Sequence, residues 1–209
     1  MKKLISILLA GMAAITLSLA QTPQEIVARM DEVMNRADSE KIGFTMDMKI
    51  PFIGTFSTTT LSWGEKMRME GENDGKHIIT WYDAKTQWEY NVNENVIRIK
   101  NRAEKKEESA EEKNLKMLRS ATDGYDLKLT EETDNAWYFR CKKNRSNPRK
   151  DDPKRMDLVV EKGSYKPLSM STGSMGLTVT IRDHVFDVTE EQVTFNPAKY
   201  PGAKIIDKR

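Results

Sequence analysis

Between Ile42 and Ile50 every second residue is apolar: Ile42, Phe44, Met46, Met48 and Ile50 alternate with Gly43, Thr45, Asp47 and Lys49. Strict period two over this length reads as a strand with one covered and one solvated face. A slip of one residue would bury Asp47 and Lys49. Further short β-prone runs follow at 56–63, 66–70, 78–82, 86–90, 95–100, 125–129, 136–142, 155–161, 167–172 and 177–186. Turn signals separate them, among them Asn73-Asp74-Gly75, Lys162-Gly163-Ser164 and Pro51-Phe52-Ile53-Gly54, the last with two apolar residues at its tip. Short strands joined by tight turns predict a curved antiparallel meander.

The densest aromatic stretch is Trp81-Tyr82-Asp83-Ala84-Lys85-Thr86-Gln87-Trp88-Glu89-Tyr90. Asp83-Ala84-Lys85 divides it into a strand, a tight turn and a returning strand. Trp88 and Tyr90 share one parity, and Gln87 and Glu89 take the other, as expected of a strand with one face on an apolar interior.

The first twenty residues stand apart. Met1-Lys2-Lys3 is followed by an apolar run to Leu19, and Ser18-Leu19-Ala20 gives a small-x-small cleavage pattern. Residues 1–20 therefore read as a signal peptide, and 21–209 as one exported, soluble domain. Thr22, Pro23 and Glu25 then form a helix start, with Thr22 as N-cap and Glu25 completing a capping box. Ile26, Val27, Met30, Val33 and Met34 make one apolar stripe that ends near Ala37. A second helix is predicted over 107–121, where Leu115 and Leu118 follow a charged run.

Charge and residue supply narrow the function. Loss of Lys2 and Lys3 with the leader leaves 32 basic residues against 32 acidic ones, so no bulk charge favours nucleic acid. Basic residues do gather locally in the loop 142–154, where Lys142, Lys143, Arg145, Arg149, Lys150 and Lys154 oppose Asp151 and Asp152. Such a patch suits electrostatic steering toward an acidic partner. Cys141 is the only cysteine, so an intrachain disulfide is impossible, and its strand context points to a passive thiol. His77 and His184 are the only histidines, and neither has a ligand-spaced partner. No G-x-S-x-G elbow or P-loop occurs. No catalytic residue, metal or cofactor is expected, although carboxylates are numerous enough that counting does not exclude a glycosidase pair. Ten methionines remain after the leader, and their flexible thioethers suit a wall that adapts to apolar ligands.

Along essentially its whole length after the leader, the chain resembles LolA-type periplasmic carriers of lipoproteins. The likeness is strongest at Asp83-Ala84-Lys85-Thr86-Gln87-Trp88-Glu89-Tyr90-Asn91, similar to the family's D-G-K-x-x-W-x-Y-N hairpin with Ala84 where glycine is usual. It also covers Leu61-Ser62-Trp63 and the end of the chain, Phe195-Asn196-Pro197 and Pro201 to Asp207. The resemblance implies an open antiparallel half-barrel under two or three helices, binding lipoprotein acyl chains or another lipid. It implies a monomer that takes cargo from an inner-membrane release transporter and yields it to an outer-membrane acceptor. Phe44, Met46, Met48, Trp63, Met67, Met69, Trp81, Trp88, Tyr90 and Ile97 are the expected cavity residues, and of these Phe44, Met46, Met48, Met67, Met69, Trp81, Trp88 and Ile97 are expected to point mainly to the concave face on their parity. Ile26, Val27, Met30, Val33, Leu115 and Leu118 are the expected lid. Where the family has Lys-Arg-Pro after its tryptophan, with an arginine that ties the lid shut, this chain has Gly64-Glu65-Lys66-Met67-Arg68. Lys66 and Arg68 are the latch candidates. The acidic insertion Glu104 to Glu112 falls where the family has its lid helices. A lipid-sensing envelope-stress domain on the same fold, or another binder of hydrophobic ligands, fits the same features.

Overall fold

The computed structural model describes residues 21–36, 41–73, 75–102, 123–147, 152–174 and 176–209. The leader 1–20 and the predicted helix over 107–121, with Leu115 and Leu118, lie outside them.

The capping box forms as the sequence predicts. The Glu25 amide donates to Thr22 Oγ1 (3.2 Å) and the Thr22 amide to Glu25 Oε2 (2.8 Å), starting helix α1 (Pro23–Arg36). Among the described residues twelve strands follow: β1 (Ile42–Ile50), β2 (Gly54–Trp63), β3 (Lys66–Asn73), β4 (Lys76–Tyr82), β5 (Thr86–Asn91), β6 (Val96–Asn101), β7 (Tyr125–Glu132), β8 (Ala136–Lys143), β9 (Arg155–Glu161), β10 (Pro167–Ser174), β11 (Leu177–Phe186) and β12 (Lys204–Asp207). A one-turn helix α2 (Glu190–Val193) and a 3-10 turn (Pro197–Lys199) lie between β11 and β12.

All twelve strands form one open sheet in the order β12-β6-β5-β4-β3-β2-β1-β11-β10-β9-β8-β7. Every pair is antiparallel except β12 against β6, which is parallel. The fold is a curved, open half-barrel, antiparallel but for β12 and crossed by helices; the curved meander is what the strand pattern predicts, and the open half-barrel is what the family resemblance implies. The chain meanders through β1–β6, restarts at the far edge with β7, meanders back to set β11 beside β1, and returns across the sheet to β6.

Residues paired across neighbouring strands point to the same face, so the ladders show what each face carries. Met46 pairs with Ile181, Ile181 with Met170, Met170 with Leu158, Leu158 with Phe139 and Phe139 with Leu129. This row, with Ile42, Phe44, Cys141 and Met156, packs against Ile26, Val27, Met30 and Met34 of α1 in one apolar core. On the opposite face the same strands are polar. Thr45 and Thr59 hydroxyls lie 3.1 Å apart, and Ser171 and Thr180 hydroxyls 2.9 Å apart. Arg182 donates to both Asp47 oxygens (2.6 and 3.1 Å), and with Ser57 this holds the Asp47 carboxyl below its ordinary pKa.

Candidate functional site

Followed across β2 to β6, the ladders separate the predicted cavity residues into two groups. Phe44 pairs with Thr60, Thr60 with Met69, Met69 with Thr80, Thr80 with Glu89 and Glu89 with Arg98. The neighbouring row runs Gly43, Leu61, Arg68, Trp81, Trp88, Ile99, and Tyr90 pairs with Ile97 on that same side. Phe44, Met46, Met48, Met67 and Met69 thus lie on the face that carries α1, whereas Trp63, Trp81, Trp88, Tyr90 and Ile97 lie on the opposite one. The expectation of one shared concave face for Phe44, Met46, Met48, Met67, Met69, Trp81, Trp88 and Ile97 does not hold. Trp88 and Tyr90 do alternate with Gln87 and Glu89, but the apolar interior they meet is a different one.

That second interior is built by the end of the chain. Phe195 stacks on Trp88 (centroids 5.4 Å apart) and meets the edge of Trp81 (5.3 Å). Tyr200 lies against Tyr90 (4.7 Å), Trp81 (5.4 Å) and Phe195 (6.2 Å). Each such pair adds roughly 0.5–1.5 kcal/mol beyond simple burial. Val188 and Val193 are fully buried alongside, and α2 lies over β2 and β3. The segment 195–202, which carries no helix or strand periodicity, is a packed cover. The clue was present in Phe195 and Tyr200, two aromatics set among prolines and asparagine.

The hairpin motif serves this architecture. Asp83 Oδ1 accepts from the amides of Lys85 (2.8 Å) and Thr86 (2.6 Å), which forms the turn. Ala84 is not among the residues with positive φ, so the turn does not require the glycine usual there. Asn91 is buried, and its Oδ1 accepts the Glu94 amide (3.0 Å), shaping the β5–β6 turn. The Tyr90 hydroxyl donates to Asn95 Oδ1 (3.0 Å), and Asn95 Nδ2 donates to the Gly202 carbonyl (3.2 Å). Strand pair and C-terminal cover are tied together at that point.

The latch candidates lie on this second face. Lys66 Nζ donates to Glu190 Oε1 (2.5 Å) and Thr194 Oγ1 (3.3 Å), fastening α2 to β3. Arg68 pairs with Glu70 and lies over the Trp81 ring (5.9 Å). A cleft of about 480 Å³ between Trp63, Lys66 and the Asp83–Thr86 turn and one of about 320 Å³ between Lys66 and α2 open there.

On the α1 face, Ile26, Val27 and Met30 of the predicted lid stripe are fully buried, and Val33 is half-buried. The core row continues past β1 as Met48, Phe56, Met67, Met69 and Ile78, which stay only partly covered, Phe56 being 40% exposed. Beyond β4 this face turns polar, with Gln87, Glu89, Asn91 and Arg98. The adaptable apolar strip is therefore confined to β1–β4 and borders the α1 core. A third cleft, about 450 Å³, opens at the edge where β2 and β3 part, lined by Thr55, Ser57, Glu72 and His77 of the polar face together with Phe56 and Gly71.

Two groups suited to covalent or proton chemistry, Cys141 and His184, are buried and shifted away from their reactive forms. Burial, with Asp157 nearby, pushes the Cys141 thiol up to about 12, so it stays protonated. Burial likewise holds the His184 ring down to about 4. Among the described residues no group of three His, Cys, Asp or Glu side chains could hold a metal ion, and no helix is long and apolar enough to cross a membrane.

No protein-family model matches the chain, and a search of curated proteins finds no match. Comparison with solved structures finds similar folds. One is an uncharacterized conserved protein of Thermus thermophilus (17% identity, 90% of this chain and 100% of that one, TM-score 0.41). Another is a LolA superfamily protein of Nitrosomonas europaea (14%, 84% and 99%, TM-score 0.31). A third is the lipoprotein LppX of Mycobacterium tuberculosis (7%, 79% and 94%, TM-score 0.48). At these identities the similarity concerns the fold alone.

Proposed function

We propose that the protein is an exported, periplasmic carrier that shields acyl chains of lipoproteins or other lipids against the methionine-rich strip of the α1 face. The observation that carries this reading is the half-covered row Met48, Phe56, Met67, Met69 and Ile78, which continues a closed core without being sealed by α1. An acyl chain in water costs roughly 0.8 kcal/mol per methylene, on the order of 10 kcal/mol for a whole chain. A flexible apolar wall offsets much of that cost without the strong polar anchor that would hinder release. The donor in this reading is an inner-membrane transporter and the acceptor lies at the outer membrane, as the family resemblance implies.

Displacement of a fluorescent fatty acid tests the reading. Met69→Glu should weaken binding at least tenfold, while Trp88→Glu, on the opposite face, should leave affinity for the strip in place wherever the variant stays folded. The reverse pattern would move the ligand beneath the C-terminal cover. Absence of fatty-acid binding by the folded wild type would end the carrier reading.

A further inference from the structure

The apex of the β1–β2 hairpin presents a large apolar surface that nothing in the mechanism above uses. The Ile53 amide donates to the Ile50 carbonyl (3.2 Å), closing a turn with Pro51 second and Phe52 third. Phe52 has φ 65°, the left-handed conformation that this turn position normally reserves for glycine or asparagine. Its side chain is nevertheless fully exposed, and Ile53 beside it is 68% exposed.

Tyr165, in the β9–β10 turn, provides a control within the same molecule. It has nearly the same φ, 57°, but its ring stacks on Trp137 (5.6 Å) and its hydroxyl meets Gln21 and the Arg29 guanidinium. The strain at Tyr165 is offset by contacts inside the fold. The strain at Phe52 is not, since its fully exposed ring packs against nothing among the described residues.

The surroundings of the apex indicate what it meets. Antiparallel pairing brings the β1–β2, β10–β11 and β8–β9 connections to the same end of the sheet. A Cβ on Gly176 would lie 2.9 Å from Pro51 Cγ, so the β10–β11 turn, with Leu177 exposed, abuts the apex. Exposed Lys49, Lys142, Arg145, Lys154 and Arg155 line the same rim. On its other side the apex adjoins the β3–β4 turn, where Glu72 and Lys76 are exposed, and Lys76 pairs with Glu94 (2.7 Å); at the β8–β9 end Asp126 and Asp152 accept hydrogen bonds from Asn144 and Asn147. A convex apolar apex flanked by cations complements a deformable anionic lipid surface, where apolar side chains enter the acyl boundary and Lys or Arg meets the headgroups.

We propose that the β1–β2 apex is a membrane-insertion tip, Phe52 and Ile53 entering an anionic bilayer while the rim cations bind its headgroups. This surface is distinct from the acyl-binding face, so the two readings can fail separately.

The test is sedimentation of the chain without its leader with large unilamellar vesicles of mixed phosphatidylglycerol and phosphatidylcholine, and with phosphatidylcholine alone. Wild type should bind the anionic vesicles, and less so as salt is raised. Phe52→Asn with Ile53→Ser keeps a backbone-compatible residue at the strained position and should lower partitioning at least tenfold with circular dichroism unchanged. Arg145→Glu with Lys154→Glu should abolish the preference for anionic lipid. Phe52→Trp provides a second readout that needs no loss of function: its added emission should be quenched by brominated acyl chains. Failure of wild type to bind vesicles, full binding by the tip variant, or an unquenched tryptophan overturns the proposal. A tip-dependent protein partner in the absence of vesicle binding overturns it as well. Fatty-acid displacement without vesicles should be normal in the tip variant, so its loss in wild type would speak against the carrier reading alone.

Discussion

On the α1 face, strands β1 and β7–β11 are covered by a helix that precedes them in the chain, and the contact is made by methionine, isoleucine, leucine, valine and phenylalanine. On the opposite face, strands β3–β6 are covered by the segment from Val188 to Tyr200, which follows all of them, and that contact is largely aromatic. One sheet thus has two interiors on opposite faces, with β2 between them. Each half is closed on one side only, and the strip where the α1 interior thins out, from Met48 of β1 across β2–β4, is the strip proposed to hold an apolar ligand. A sheet that shifts its cover from one face to the other leaves a region of partial burial at the shift.

The largest expected effect tests whether the α1 interior is the thermodynamic centre. Phe139 is fully buried in it, so Phe139→Ala should cost about 3–5 kcal/mol in chemical denaturation. A loss below about 1 kcal/mol would mean that stability resides elsewhere.

A pH effect comes next and belongs to the bulge opposite Phe44, where Asp183 and His184 interrupt the β1–β11 register. Burial lowers the His184 pKa from 6.5 to about 4. The unfolded chain then binds the extra proton at higher pH than the folded one, so stability is full above about pH 6.5 and falls as pH drops toward 4. The shift corresponds to about 3 kcal/mol at its limit. His184→Gln should flatten the stability profile across this window, and an unchanged slope would remove His184 as its source. Any contribution from Asp47, whose pKa is lowered chiefly by its hydrogen bond with Arg182, would be lost only at still lower pH.

The smallest expected effect separates the two interiors. Phe195 is half-buried, so Phe195→Ala should cost about 2 kcal/mol, shift tryptophan emission to the red and raise amide exchange in β5 and β6. Exchange in α1 and β8–β9 should stay slow. Equal acceleration in both halves would show a single cooperative interior.

Much of the fold could be read in the sequence because it is set locally. The capping box at Thr22 and Glu25, the alternation from Ile42 to Ile50 and the Asp83 turn each involve residues within a few positions of one another. Alternation shows which residues share a face, but not which face will be covered. For Trp81 and Trp88 that choice rests with Phe195 and Tyr200, more than a hundred residues further along, and no periodicity around the hairpin carries it. The polar turn of the α1 face beyond β4 is visible in Gln87 and Glu89, but only once the pairing fixes which side they point to.

The lone parallel pair has a kinetic consequence. β12 joins β6 with Lys204 opposite Val96, so the last strand must cross from beside β1 to the far edge before it can pair. Contacts that distant in sequence form late, because the intervening chain must first lose its freedom. Until the final dozen residues arrive, β6 presents a bare edge of unpaired amides and carbonyls, ready to accept a strand from another molecule. A chain caught before that step is therefore the form most exposed to misassociation, and the residues nearest the C-terminus set how long the danger lasts.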